Sequence, residues 1–267
     1  MKFALVEGER REAQPGLSGK CQHCGGVMLA KCGEINVWHW AHRGTRICDG
    51  WWEPETEWHR TWKDQFRSEW QEIPQWSDNG EKHVADVKTD RGMVLEFQRS
   101  HLRKEERESR EIFYQNMVWV VYGLRRVRDR PRFFASLTAT SIVKAKPLTF
   151  SLPSDECALL RDWVGSRKTV FFDFADNSDP GDPLSFDVLW RLDPRSPKGE
   201  AHLSPVLRSS FLDKYREGLP LKGMDWSVEV ACSFGVAGYV TQQAPRSRSL
   251  VGFQQYMARR QRRRPRF

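Results

Sequence analysis

The sequence predicts a mixed α/β (α+β) fold with a small β module at its front. Three observations carry this expectation. Four of the six cysteines (Cys21, Cys24, Cys32 and Cys48) fall within the first 48 residues, together with His23, His39 and His42. Trp58, Trp62, Phe66 and Trp70 recur at a four-residue spacing, the period of a helix with one apolar face. Residues 83–98 then read as two apolar arms around a turn, followed by a charged helix and an apolar strand.

The elements follow in order. Phe3–Val6, Val27–Ala30 and Ile35–Trp40 are short apolar runs separated by glycine-bearing turns, and each reads as a strand. Pro54, Glu55 and Glu57 open a helix, because proline and acids suit a first turn; Pro74 is expected to end it. Val84–Val87 and Met93–Phe97 form a hairpin. Leu102–Gln115 is a charged helix with the look of a solvated face, and Met117–Tyr122 is a buried strand. Arg125–Arg132 reads as a basic connector. Ser154–Trp163 is an expected helix capped by Ser154, Thr169–Phe174 and Phe186–Leu192 are expected strands, and Asp176–Pro183 is a turn-rich loop. The organisation predicted is 1–50 as a β module, 51–125 as an α/β core, 126–250 as a further α+β region and 251–267 as a basic disordered tail.

Charge narrows the function classes only after it is located. The net charge is +8, yet six arginines without an acid lie in Arg259–Phe267, so the remaining chain carries only +2. The tail suits non-specific, salt-dependent contact with a polyanion. No apolar run approaches the roughly 18 residues of a membrane span. The first residues also lack the apolar stretch of a signal peptide. A cytoplasmic protein with no membrane span is expected.

The clustered thiols and imidazoles read as a metal site rather than a disulfide framework. Cys21-x-x-Cys24 ends in Gly25-Gly26, a knuckle that lets two thiolates converge, and tetrahedral zinc needs four ligands. Cys21, Cys24, His42 and Cys48 are the favoured set, with His39 the rival for a late position. Cys32 is the expected non-ligand. Such a closed site is structural, stapling a segment too small to hold a core of its own.

The hairpin holds the second candidate site. A three-residue loop, Asp90-Arg91-Gly92, requires a left-handed residue that Gly92 supplies. Thr89 and Met93 then close the loop, and counting outward sets Asp86 opposite Glu96. Cross-strand partners have Cβ atoms roughly 5 Å apart. Gln98 and Ser100 share the face of Glu96. Two facing carboxylates repel unless a cation lies between them, and oxygen ligands suit Mg2+ or Mn2+.

Several motifs, in order, resemble one family. Glu55-Thr56-Glu57-Trp58-His59 with Lys63, His83-Val84-Ala85-Asp86-Val87, Leu95-Glu96-Phe97-Gln98-Arg99-Ser100, and then Arg110 and Tyr114 are similar to the CoiA-like competence nucleases. The Cys-x-x-Cys knuckle and His39-Trp40-Ala41-His42 resemble that family's zinc-binding front end. The resemblance covers roughly residues 1–125. It implies a restriction-endonuclease-like PD-(D/E)XK core behind a zinc-ribbon-like β module, and a metal-dependent nuclease acting on DNA, in DNA uptake or recombination. It implies that Asp86 and Glu96 are the Mg2+ or Mn2+ ligands and that Glu55 and His59 belong to the catalytic set. Gln98 stands where the superfamily usually has lysine. A glutamine carries no charge, so that electrostatic task falls to His59, Lys63 or His83. Lys63, His83, Arg99, Arg103 and Arg110 are candidates for contact with nucleic acid. Two other readings compete: a non-catalytic nucleic-acid-binding module, and an interaction protein that docks a partner through its C-terminal half.

Overall fold

The computed structural model describes residues 1–44, 50–51, 53–78, 80–137, 141–145, 147–175 and 188–224. Cys48, Cys232, the Asp176–Pro183 loop and the basic tail lie outside the described residues.

Residues 1–42 form an antiparallel five-stranded sheet in the order β2-β1-β3-β4-β5. Its strands are β1 (Phe3–Val6), β2 (Glu9–Glu12), β3 (Ser18–Lys20), β4 (Val27–Lys31) and β5 (His39–His42). Glu7 and Gly8 both have positive φ, 54° and 86°, the requirement of a tight two-residue hairpin turn. Trp40 N–H donates to the Met1 carbonyl at 2.8 Å, so the last strand returns to the first and the sheet curls. Trp40, Met28 and Ala4 fill the interior. The expected strand at Ile35–Trp40 begins four residues later, because Ile35 is 96% exposed and the chain turns there.

The rest of the described chain builds one mixed nine-stranded sheet, ordered β10-β11-β14-β13-β12-β9-β8-β7-β6. Strands β6 (Gln71–Trp76), β7 (Lys82–Lys88), β8 (Val94–Gln98), β9 (Met117–Tyr122) and β12 (Thr169–Asp173) form one half. Strands β10 (Ser141–Ala145), β11 (Leu148–Pro153), β13 (Val188–Leu192) and β14 (Glu200–Leu207) form the other. The pairs β8–β9 and β9–β12 are parallel, and the remaining pairs are antiparallel. Helices cover both faces, as sheets with parallel strands require. One face packs α1 (Glu57–Lys63) and α5 (Arg208–Glu217), through Trp62, Phe211 and Tyr215, onto Leu95, Phe97 and Val120. The other packs the end of α2 (Lys104–Phe113), α3 (Asp129–Ser136) and α4 (Ala158–Trp163) onto Trp119, Phe172 and Trp190. The sheet runs on past residue 125, since β12 continues it directly beside β9.

Several expectations are corrected. The first helix stops at Lys63, not near Pro74. Phe66 and Trp70 still reach the core, but from a turn and a short 3-10 segment at Ser68–Trp70. Pro74 lies in β6 at the sheet margin, where proline is tolerated because an outer strand leaves one row of backbone groups unpaired. The expected basic connector runs from Asp129 into α3, which buries Phe133. Helix α4 starts at Ala158 after Cys157. Ser154 is no cap, because it lies three residues before the N-cap position at Cys157; its N–H donates to the Gly199 carbonyl at 3.0 Å. Helix α2 is not simply a solvated face. It buries Arg107, Arg110 and Glu111, and Glu111 accepts from the Trp119 indole, Ser166 and the Arg167 N–H.

Candidate functional site

The knuckle forms as its sequence demands. Cys21 N–H donates to Gly26 O and Gly25 N–H to Cys21 O, both at 2.8 Å, and Gly25 takes φ 71°. A Cβ on Gly26 would meet Cys24 Sγ at 3.3 Å, a tight contact that glycine avoids. Strand β5 brings His42 Nε2 to 3.3 Å from Cys24 Sγ. The ligand atoms of Cys21, Cys24 and His42 all lie within 4.8 Å of one another. Two thiolates and an imidazole suit a metal such as zinc. Burial raises the Cys21 thiol above its usual range, and a bound cation would reverse that by favouring the thiolate. His39 is three residues from His42 on a strand, which sets the two on opposite faces. Its Nδ1 instead meets the Val37 carbonyl at 2.9 Å, and it is not part of the group. Cys48 lies outside the described residues.

The hairpin turn has the expected loop. Thr89 N–H bonds Met93 O, Gly92 N–H bonds Thr89 O, both at 2.9 Å, and Gly92 has φ 73°. The pairs Lys88↔Val94 and Val87↔Leu95 follow, so the count places Asp86 opposite Glu96. There the backbone ladder gives way to side chains. Asp86 N–H donates to Glu96 Oε1 at 3.2 Å, and Phe97 N–H donates to Asp86 Oδ2 at 2.9 Å. On the other side of β7, pairing passes from Gln71↔Val87 to Ile73↔Ala85, and Glu72 takes φ 49°. Backbone pairing is thus interrupted on both sides of Asp86. Such local irregularity re-aims side chains and is concentrated at working sites.

Asp86 and Glu96 line a cleft with Glu53, Glu55, His59, Lys63, Glu72, Gln98 and Arg110. Helix α1 supplies His59 and Lys63. Lys63 Nζ is buried between Glu55 Oε2 at 2.7 Å and Glu72 Oε1 at 2.8 Å. Burial alone would lower its pKa, but Glu72, Glu55 and Asp86 raise it above the ordinary lysine value. His59 Nδ1 meets the N-cap hydroxyl of Thr56 at 2.8 Å and its Nε2 meets Glu53 Oε2 at 3.3 Å. A carboxylate only accepts, so Nε2 carries the hydrogen. Glu53 also accepts from the N–H groups of Arg99 and Ser100. Burial works against its charge, yet His59 and these donors hold its pKa below the ordinary value. Arg110 reaches Glu96 at 3.4 Å, Glu106 at 2.6 Å and the Trp51 carbonyl at 2.7 Å. Desolvation pushes the Asp86 carboxyl up, Glu55 adds to that, and Lys63, His59 and the Phe97 N–H only partly offset it. The cleft therefore holds five carboxylates against three cationic groups, Lys63, Arg110 and the amino terminus of Met1. That surplus fits a divalent cation with oxygen ligands.

The sequence candidates divide accordingly. Asp86, Glu96, Gln98, Glu55, His59, Lys63 and Arg110 share the cleft. Arg110 is buried and ion-paired there rather than presented to a phosphate surface. His83 turns away, stacked on Trp51 and edge-on to Phe113. Arg99 is exposed, with its guanidinium 5.1 Å from the Tyr122 ring centroid. Arg103 is exposed at the start of α2. Glu53 and Glu72 were not foreseen as site residues. Trp51-Trp52-Glu53-Pro54-Glu55 offered a signal for the first, as an acid beside an expected site helix. Nothing in the sequence pointed to Glu72. Among the described residues no helix is long and apolar enough to cross a membrane. Compared with known proteins, the chain matches no family model, no curated protein and no solved structure.

Proposed function

We propose that this chain is a metal-dependent nuclease that hydrolyses phosphodiester bonds of DNA. The observation that carries the reading is the opened hairpin, which turns Asp86 and Glu96 together into a carboxylate-rich cleft. The resemblance to CoiA-like nucleases supports it. So does the element order: a helix, antiparallel strands, a helix and a parallel strand, the arrangement expected of a restriction-endonuclease-like core.

In this reading Asp86 and Glu96 hold Mg2+ or Mn2+. The bound ion would supply Lewis-acid activation of water and charge relief at the phosphate. Lys63, fixed between Glu55 and Glu72, keeps a positive charge in the cleft that Asp86 also lines and takes the electrostatic task that neutral Gln98 cannot. Gln98 Nε2 lies 3.3 Å from the Ser100 carbonyl and hydroxyl, which fixes its amide to orient water or a phosphate oxygen. His59, held by Thr56 and Glu53, is placed to pass a proton toward the leaving oxygen. Zinc at Cys21, Cys24 and His42, with Cys48 as the fourth ligand, holds the front module together. The arginine tail tethers the substrate.

The test is cleavage of single- and double-stranded DNA, and of RNA, with Mg2+ or Mn2+, beside Asp86→Asn and Glu96→Gln. Losing a group that only supports a metal ligand costs about 10–100-fold, so each of these variants should lose at least ~100-fold. Unchanged cleavage in both would sink the site. Intact binding without cleavage by the wild type would favour a non-catalytic binding module.

A further inference from the structure

The two metal-competent places are joined through one residue. Glu72 is 3% exposed and has φ 49°, a left-handed conformation that strains a non-glycine residue. Its surroundings over-determine it. The carboxylate accepts the N–H of Lys2 at 2.6 Å and of Phe3 at 3.0 Å, both at the start of β1. Its backbone carbonyl accepts Gln22 Nε2 at 2.9 Å. Gln22 is one of the two residues between Cys21 and Cys24, so one side chain runs from the knuckle to Glu72. On the far side, Glu72 Oε1 holds Lys63 Nζ at 2.8 Å, and Lys63 lines the same cleft as Asp86.

We infer that Glu72 is a positioning residue through which the metal state of the Cys21–Cys24–His42 knuckle sets the cation affinity of the Asp86–Glu96 cleft. The inference deepens the proposed function and rests on its reading of the cleft. The direction follows from charge. While β1 and Gln22 are in place, Glu72 and Glu55 share the Lys63 ammonium at 2.8 and 2.7 Å, which leaves both hairpin carboxylates for a cation. When the knuckle loosens, Glu72 loses two N–H donors and the Gln22 amide. Its strained backbone relaxes, and Lys63, left with Glu55 alone, turns toward Asp86. A lysine ammonium on that carboxylate competes directly with a divalent cation.

The experiment measures Mn2+ binding to the full chain by calorimetry, without substrate. It compares the zinc-loaded wild type, the same protein stripped of zinc, Glu72→Gln, Gln22→Ala and Asp86→Asn. Coupling between sites is commonly 5–150-fold, so zinc removal and Glu72→Gln should each weaken Mn2+ by about tenfold. Zinc removal should add little more in Glu72→Gln. Gln22→Ala, which spares the carboxylate, should show a smaller weakening. Amide hydrogen exchange in Glu57–Lys63 and Gln71–Trp76, remote from the thiolates in sequence, should rise on zinc removal. If Asp86→Asn abolishes Mn2+ binding but Glu72→Gln binds as tightly as the wild type and responds equally to zinc, the coupling is refuted and the cleft stands. If the wild type binds no Mn2+, or Asp86→Asn binds it equally, the reading of the cleft falls and the inferred control of its cation affinity falls with it. The exchange measurement then separates the two failures: a rise in Glu57–Lys63 on zinc removal shows the mechanical link alone, and no rise shows that neither exists.

Discussion

Lys63 shows how one side chain can hold a site together. It is 1% exposed, and its ammonium touches two carboxylates that are themselves buried. Removing one partner of a buried ionic group leaves the others uncompensated, at about 3–5 kcal/mol. Lys63→Met keeps the length and apolar stem but strips the charge from Glu55 and Glu72. Its urea midpoint at neutral pH should fall by an amount corresponding to that loss, and the deficit should shrink in acid as the orphaned carboxylates protonate. An unchanged midpoint would mean that the three groups are not a unit. At this scale the sequence was informative where chemistry follows spacing. The turn residue Gly92 set the register, and the register set Asp86 against Glu96. It was silent on Glu72, because a glutamate in a polar run has no pattern that betrays a left-handed φ or a partner seventy residues away.

Elements were readable where period and length agreed. Strands β1 and β9 fall within the residues their apolar runs marked, whereas β2, Glu9–Glu12, is wholly polar and shows no period. Helix α1 was overdrawn because Phe66 and Trp70 continue its four-residue spacing into a turn that serves the same core. The link from β9 to α3 depends on Gly123. Its N–H donates to the Asp173 carbonyl at 2.7 Å, and a Cβ there would lie 2.4 Å from the Phe174 ring. Phe174 is fully buried against Phe133, with ring centroids 4.6 Å apart, so it cannot simply step aside. Gly123→Ala should destabilise by about 1–3 kcal/mol through overpacking, read as a lowered urea midpoint. Pairing it with Phe174→Leu, which trims the ring, should recover part of that loss; no recovery would assign the cost to the backbone instead.

At the scale of the molecule, the C-terminal region shares the core of the site. Asp173, at the end of β12, accepts the indole N–H of Trp58 at 3.0 Å and of Trp62 at 2.8 Å, and pairs with Arg208 of α5. It thereby grips α1, the helix that carries His59 and Lys63, from behind. Phe171, Leu189, Val206 and Phe211 complete the cluster around Trp62 and Phe97. Sequence reading could not see this, because parallel pairing of β9 with a strand some fifty residues on leaves no local signal. A chain ending at residue 125 would expose that cluster along the whole edge of β9. It should be recovered only as aggregated or unfolded protein, without the cooperative thermal transition of the full chain. A soluble truncated form with a sharp transition would show instead that residues 1–125, which hold every cleft residue named above, fold alone.

The same coupling makes acid a probe of how the front module is held. Burial alone would raise the Glu72 carboxyl, but Lys63, the amino terminus and the Lys2 N–H hold it down from the ordinary 4.5 to about 2. Because the folded value lies below the unfolded one, the unfolded state binds the extra proton, and stability falls as pH falls. The contribution is fully present above pH 4.5 and is lost as the pH drops toward 2. Protonated Glu72 would keep one acceptor oxygen but lose its charge toward Lys63. The hold on the start of β1 would weaken, and with it the Arg10 contacts to the Ser68 and Gln71 carbonyls and the His23–Trp76 stack. The urea midpoint of the wild type should therefore decline across this window more steeply than that of Glu72→Gln, which carries no proton-linked charge at that position. Other carboxylates titrate in both proteins and cancel in the comparison. Parallel declines would show that Glu72 is not the acid-sensitive tie between the module and the sheet.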